Sequence, residues 1–268
     1  FASEQGGLSV DVIKKAFNAT EEEFWHLVKR SLQVKPQIAS VGSCCLVGAI
    51  SNEVLYVANL GDSRAVLGRK ANQDKRKSVI AERLSTDHNV KVEEVRKEVE
   101  ALHPDDSQIV MFARVSRSIG DIYLKKPEVN LDPFFQQFGN PVPLKRAVVT
   151  AEPSVLIRKL MPEDQFLIFA SDGLWEQLTD EEAVEIVQGI AKRLVRAALN
   201  EAARKKELRY DDIKNVRKGV RRHIHDDITV IVIYLDRHRR SFPNGRLKKN
   251  AIGCTYAPMD IYSLYTAD

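Results

Sequence analysis

Cysteine is scarce in this 268-residue chain: Cys44, Cys45 and Cys254 are the only three, and two are adjacent. An odd count with neighbouring thiols excludes a disulfide framework, and no C-x-x-C pair is present to bind zinc. Such usage fits a reducing compartment. Thirteen glycines and ten prolines make less than a tenth of the chain, which excludes collagen-like and low-complexity classes. No apolar run approaches the ~18 residues of a membrane span. The opening FASEQGGLSV has neither the basic nor the apolar region of a secretory signal. It also lacks an initiator Met, so the chain reads as an internal start, a processed product or a fragment. The final LYTAD is no prenylation box. Dinucleotide and P-loop glycine patterns, the G-x-S-x-G elbow and H-E-x-x-H are all missing. No internal repeat is visible.

What is present is a hydrophobic share of 44% with 29% charged residues, enough for a real core. The net charge is only +4, but residues 192–249 carry 18 Lys/Arg against seven Asp/Glu, and the rest of the chain sums to −7. Within 192–222 the single aromatic is Tyr210, which argues against stacking on nucleic-acid bases and for a solvated helical face.

Periodicity predicts helices over 9–33, one capped by Ser9 and a second opened by the capping box Thr20-Glu21-Glu22-Glu23. Strands follow at 41–50 and 53–60, joined at Ser51-Asn52, and a second tight turn at 60–64 leads into 65–67. A polar loop is expected at 69–81, an amphipathic helix at 89–102 and an irregular insert at 125–150. Strands at 154–160 and 165–170, a helix opened by Thr179, more helix over 193–208 and an apolar strand at 228–235 complete one α+β domain. Residues 1–236 form that domain, and 237–268 read as a basic tail.

Two strands end in acid. FLIFA runs into Ser171-Asp172-Gly173, and Asp226-Asp227 leads into ITVIV. If those strands are antiparallel neighbours, Asp172 and Asp226/Asp227 meet at one sheet edge. Like charges held together need a cation, and carboxylate oxygens select Mg²⁺ or Mn²⁺. Either motif alone also reads as an ordinary turn or cap. His223-Ile224-His225 offers a rival zinc reading but lacks a third ligand, and exposed histidines are the simpler account.

Taken together, Val41-Gly42-Ser43, Tyr56–Val66 (YVANLGDSRAV), Leu84–His88 (LSTDH), Val115–Asp121 (VSRSIGD), Phe166–Glu176 (FLIFASDGLWE) and Asp226–Val232 (DDITVIV) resemble the metal-dependent protein Ser/Thr phosphatases of type 2C. LHPDDSQIV, SIGDIYLKKPE and GVRRHIHDDITVIV are similar to a plant subgroup. The resemblance implies a sandwich of two antiparallel β-sheets flanked by helices, with a two-ion Mn²⁺/Mg²⁺ centre at one end. It implies hydrolysis of phosphoserine or phosphothreonine by a metal-activated water, with no protein nucleophile. Asp172 and Asp226 are the implied ligands, Asp227 stands where the family often has Asn, and Asp87 and Glu176 match a weaker third site. Asp62 and Arg64 are expected to hold a hairpin turn, Asp121 to be structural and Trp175 to be core. Arg114 and Arg117 are expected either to attract phosphate or to make fold-holding salt bridges, and Cys44 and Cys45 to be buried packing.

The family's Asp-Gly-His-Gly stretch, with its metal-bridging Asp, and an upstream phosphate-binding Arg have no counterpart in these residues. The resemblance therefore places this chain as the C-terminal part of such a domain, lacking opening strands. Two further short gaps fall at 111–115 and 187–190. The missing Asp predicts very weak or no activity for these 268 residues by themselves. The alternative is a non-enzymatic relative that binds substrates or regulators. The subgroup implies phosphoprotein substrates, among them a plasma-membrane proton pump, and small auxin-induced regulatory proteins. A monomer in cytosol or nucleus, associated with the plasma membrane, is expected, with no nucleic-acid partner and no transmembrane segment.

Overall fold

The structure is a computed structural model and describes residues 7–71, 79–104, 113–136, 146–187, 191–209, 212–213, 216 and 218–235. The expected tail and both expected gaps lie largely outside the described residues.

The first element is one continuous helix, α1 (Val10–Ser31). Ser9 caps it by accepting the Val12 N–H at 3.2 Å. The second cap expected at Thr20 does not form. Thr20 instead donates back to the Ala16 carbonyl at 2.9 Å, and Glu21 turns away to bind Lys125 and the Gly120 N–H. A mid-helix hydroxyl can satisfy itself in this way without breaking the helix.

Strands β1 (Gly42–Ser43), β2 (Cys45–Ser51) and β3 (Val54–Leu60) follow. The β2–β3 turn is centred on Asn52 and Glu53, both at positive φ, one residue later than the spacing suggested. Next come β4 (Arg64–Lys70), β5 (Val79–Arg83), α2 (Glu93–Leu102), β6 (Ile119–Gly120) and two single-turn helices, α3 (Pro127–Asn130) and α4 (Pro133–Gln136). The chain closes with β7 (Ser154–Lys159), β8 (Asp164–Ala170), α5 (Asp172–Trp175), α6 (Asp180–Val187), α7 (Ala191–Lys205) and β9 (Val230–Tyr234). Thr179 opens α6 by the reciprocal bonds expected of it: Glu182 N–H to Thr179 Oγ1 at 3.2 Å and Thr179 N–H to Glu182 Oε2 at 2.8 Å.

The strands form two main antiparallel sheets, ordered β2-β3-β7 and β5-β4-β8-β9, and β1 pairs with β6 in a small ribbon. Leu55 and Val57 of one sheet meet Leu67, Leu167 and Phe169 of the other. Gly48 lies so close to the Phe169 ring that a Cβ there would fall 2.3 Å from it. Helix α1 covers the outside of the first sheet through Ile13 and Phe17 on Ala58 and Leu60. Helices α5, α6 and α7 cover the outside of the second through Leu174, Val184 and Leu194 on Phe166 and Ile168.

The turn at Gly61–Ser63 is not a hairpin: β3 and β4 belong to different sheets, so the turn crosses the sandwich. Sequence spacing shows that two strands are consecutive, not that they pair. The crossing carries Asp62 to the end of the sandwich. Among the described residues no strand pairs beyond β2 or β9, and Ile50, Ile231 and Ile233 on those edges are exposed.

Candidate metal and phosphate site

Strand β8 pairs with β9 antiparallel, Ala170 opposite Val230, so the end of one adjoins the start of the other. Ser171 locks the junction. Its N–H donates to the Thr229 carbonyl at 3.1 Å, its Oγ accepts the Thr229 N–H at 3.0 Å, and its hydroxyl donates to the Asp227 carbonyl at 2.8 Å. Gly173 is required by this close approach, because a Cβ there would meet the Asp227 carbonyl oxygen at 2.5 Å. Trp175, buried, donates its indole N–H to the Ala170 carbonyl at 3.0 Å and pins α5 to the strand end.

Asp172 is thereby held beside Asp226, as the two strand ends suggested. It is also held beside Asp62 and Glu176. Burial first, and then these three carboxylates, push the Asp172 carboxyl up to about 6. Asp62 is the residue that sequence reasoning passed over as a turn former. Cys44 donates its thiol to Asp62 Oδ1 at 3.2 Å, and Asn89 donates to Oδ2 at 2.7 Å. Burial, with Asp62 next, pushes the Cys44 thiol up to about 12, so it stays protonated as a donor. Gly61, at φ 92°, brings the turn against Cys44.

A cavity of about 380 Å³ opens here, lined by Asp62, Asp172, Glu176 and Asp121, and also by Lys91, Arg114 and Arg222. Asp121, at φ 49°, accepts the Ser118 hydroxyl at 2.6 Å. Asp227 is exposed, with its N–H on Asp226 Oδ1 at 2.8 Å. Asp87 does not line the cavity. It is gripped by Arg64 and approached by Arg83. Arg117 pairs with Glu98 and the Glu152 carbonyl, whereas Arg114 faces the cavity. His223 and His225 lie in a turn and coil rather than on a strand, and His225 Nδ1 contacts the Asp226 carbonyl at 2.8 Å.

His88 sits under the Gly61–Asp62 turn, 2% exposed, with Nδ1 3.2 Å from the Gly61 nitrogen. Burial, and then Arg117, push its imidazole down to about 4, against the pull of Asp87 and Asp62. A folded value below the unfolded one means that the unfolded chain binds the proton better. Stability contributed by neutral His88 is therefore lost as pH falls from about 6.5 towards 4. Urea unfolding should show a loss of about 2 kcal/mol between pH 7 and 5 from this group. His88→Gln should remove that part of the slope; an unchanged slope would refute the assignment.

The family described as Protein phosphatase 2C matches residues 2–210. The chain belongs to the protein phosphatase 2C family. It is 65% identical to Probable protein phosphatase 2C 63 of Arabidopsis thaliana, over 99% of this chain and 74% of that protein. It is 61% identical to Probable protein phosphatase 2C 78 of Oryza sativa subsp. japonica, over 98% of this chain and 70% of that protein. The fold matches the crystal structure of a serine-threonine phosphatase 2C from Toxoplasma gondii with a TM-score of 0.52 at 18% identity. That match covers 80% of this chain and 64% of the other. Family membership makes the chain a type 2C protein serine/threonine phosphatase of the plant kind, with phosphoproteins as its substrates. Nothing in the relatives supports the non-catalytic alternative. No helix among the described residues is long and apolar enough to cross a membrane.

Proposed function

We propose that the end of the sandwich is the reaction centre of a protein serine/threonine phosphatase, and that Asp172, Asp226, Asp62 and Glu176 hold Mn²⁺ or Mg²⁺ there. The observation that carries the reading is the crowding of three carboxylates on Asp172 in a half-buried site. Their oxygens suit a hard divalent cation. Among the described residues no three side chains converge closely enough to grip an ion unaided. The bound ions would supply Lewis-acid charge for phosphoryl oxygens and acidify water.

The protein's own part is orientation. Ser171, Gly173 and Trp175 fix Asp172 at the strand end, and Cys44 and Asn89 fix both oxygens of Asp62. Asp87 keeps its arginine partners in this reading and leaves the ligand set, and Asp227 stands at its margin. Residues 1–236 carry the site, and 237–268 are appended to it. Small regulatory proteins, a monomeric state and a cytosolic or nuclear location near the plasma membrane remain part of the proposal. Incubating the chain with a phosphothreonine peptide should release phosphate slowly, only with Mn²⁺ or Mg²⁺. Release that is equal in EDTA, or metal-dependent release that survives Asp172→Asn, would refute the reading.

A further inference from the structure

The cavity has a second population of charge that the proposed metal centre does not use. Lys91, Arg114 and Arg222 come from three separate segments and all line it. All three are exposed, whereas Asp62 and Asp172 are half-buried. None of the three cations makes a side-chain hydrogen bond or ion pair among the described residues. The other arginines around this end of the molecule are taken: Arg64 by Asp87 and Asp180, Arg83 by Asp180, Arg117 by Glu98. Carboxylates and cations thus share one cavity without neutralising each other, an acidic interior beneath a basic rim.

We propose that Lys91, Arg114 and Arg222 select phosphopeptides bearing a second anionic group next to the phosphorylated residue. This rests on the phosphatase reading of the same cavity. A phosphoryl group held by divalent ions at the proposed carboxylate centre would leave the rim charges unanswered. The cavity is several times larger than one phosphoryl group, so flanking residues enter with it. A neighbouring glutamate, aspartate or second phosphate would then find unpaired cations at its own level. Phosphate gains more than carboxylate, since it carries nearly two negative charges and three strong acceptor oxygens at neutral pH. The basic stretch from 192 onwards supplies Arg222 to the cavity lining. The two halves of the charge asymmetry meet at this one site.

The test uses the 268-residue chain with Mn²⁺ and fluorescent peptides in which a phosphonate analogue replaces phosphothreonine, so that nothing is hydrolysed. One peptide has neutral flanks, one glutamate flanks and one a phosphoserine two residues away. A fourth has glutamate flanks and unmodified threonine. Anisotropy at about 100 mM salt should show the two flank-charged phosphonates binding roughly tenfold tighter than the neutral one, the phosphoserine peptide the tighter of the two. The triple variant Lys91→Gln, Arg114→Gln, Arg222→Gln should lose that difference and keep its circular dichroism and melting temperature, as these side chains are exposed and unpaired. Lys97→Gln, on the surface of α2 and paired with Glu93, should keep the difference. Equal affinity for the three phosphonates overturns the proposal, as does a preference that survives the triple variant. So does equally tight binding of the unmodified acidic peptide or of a DNA oligomer of matched charge, which would mark general polyanion attraction. If the neutral phosphonate binds and metal-dependent hydrolysis persists while the preference is absent, the rim fails alone. If no phosphonate binds and no hydrolysis occurs, the phosphatase reading fails first.

Discussion

Replacing Asp172 by asparagine should weaken Mn²⁺ binding at least about a hundredfold and abolish phosphothreonine hydrolysis, yet stabilise the metal-free protein. The two effects have one cause. Asp172 is half-buried and faces Asp62, Asp226 and Glu176, and its carboxyl titrates near 6 rather than near 3.8. A carboxyl whose folded value is raised disfavours folding above that value, because the unfolded chain releases the proton more readily. The full shift corresponds to about 3 kcal/mol, which solvent around a half-exposed group screens to about 1 kcal/mol. Asparagine keeps the shape and removes the charge. In EDTA at pH 7.5 the variant should melt a few degrees higher than the parent, and at pH 4 the difference should vanish. With Mn²⁺ the order should reverse, since only the parent gains stability from binding. Manganese counted by electron paramagnetic resonance and melting followed by circular dichroism check both arms. A variant that binds Mn²⁺ as tightly as the parent would remove Asp172 from the centre.

The antiparallel meeting of Asp172 and Asp226 was legible because two apolar runs each bordered an acid, and neighbouring antiparallel strands bring such borders together. The cap at Ser9 and the capping box at Thr179 were legible because each is a local bond over three residues. Thr20 shows the limit of the same rule: its pattern is identical, but α1 is held straight by packing on β3, and Glu21 has a partner 104 residues away. Asp62 was misread for a similar reason. Gly61-Asp62-Ser63 has the composition of a hairpin turn, and only the assignment of β3 and β4 to opposite sheets reveals a crossing that delivers Asp62 to the cavity. Asp87 shows what a motif leaves out: its place in Thr-Asp-His suggested a ligand, and the arginines that occupy it come from 64 and 83, on two different strands.

That arginine cluster should give the largest stability effect among its polar groups. Arg64 binds both oxygens of Asp87 through Nε at 3.2 Å, reaches Asp87 again through Nη2 and binds Asp180 through Nη1 at 2.7 Å. Its guanidinium lies 5.2 Å from the Trp175 ring. The side chains of Arg64, Asp87 and Asp180 are only 14%, 11% and 11% exposed. Arg64→Met keeps the stem on Trp175 and leaves two shielded carboxylates with only Arg83, itself 48% exposed. Breaking a buried pair by deleting one partner costs about 3–5 kcal/mol. At about 2–4 °C per kcal/mol for a chain of this size, melting should fall by roughly 10 °C. Removing the exposed Lys97–Glu93 pair, 70% and 72% exposed, should cost under about 0.5 kcal/mol. Adding Asp87→Asn and Asp180→Asn to Arg64→Met should restore at least half of the loss, because neutral amides no longer need the cation. A loss below about 1 kcal/mol for Arg64→Met would mean that water already compensates these carboxylates. The same residue ties the turn bearing Asp62 to α6 and, through Trp175, to the helix bearing Asp172. Arg64→Met should therefore loosen Mn²⁺ binding as well, whereas Asp87→Asn alone, which spares the Arg64–Asp180 contact, should leave Mn²⁺ affinity within about threefold of the parent. A hundredfold loss in Asp87→Asn would put Asp87 in the ligand set, against the reading proposed above.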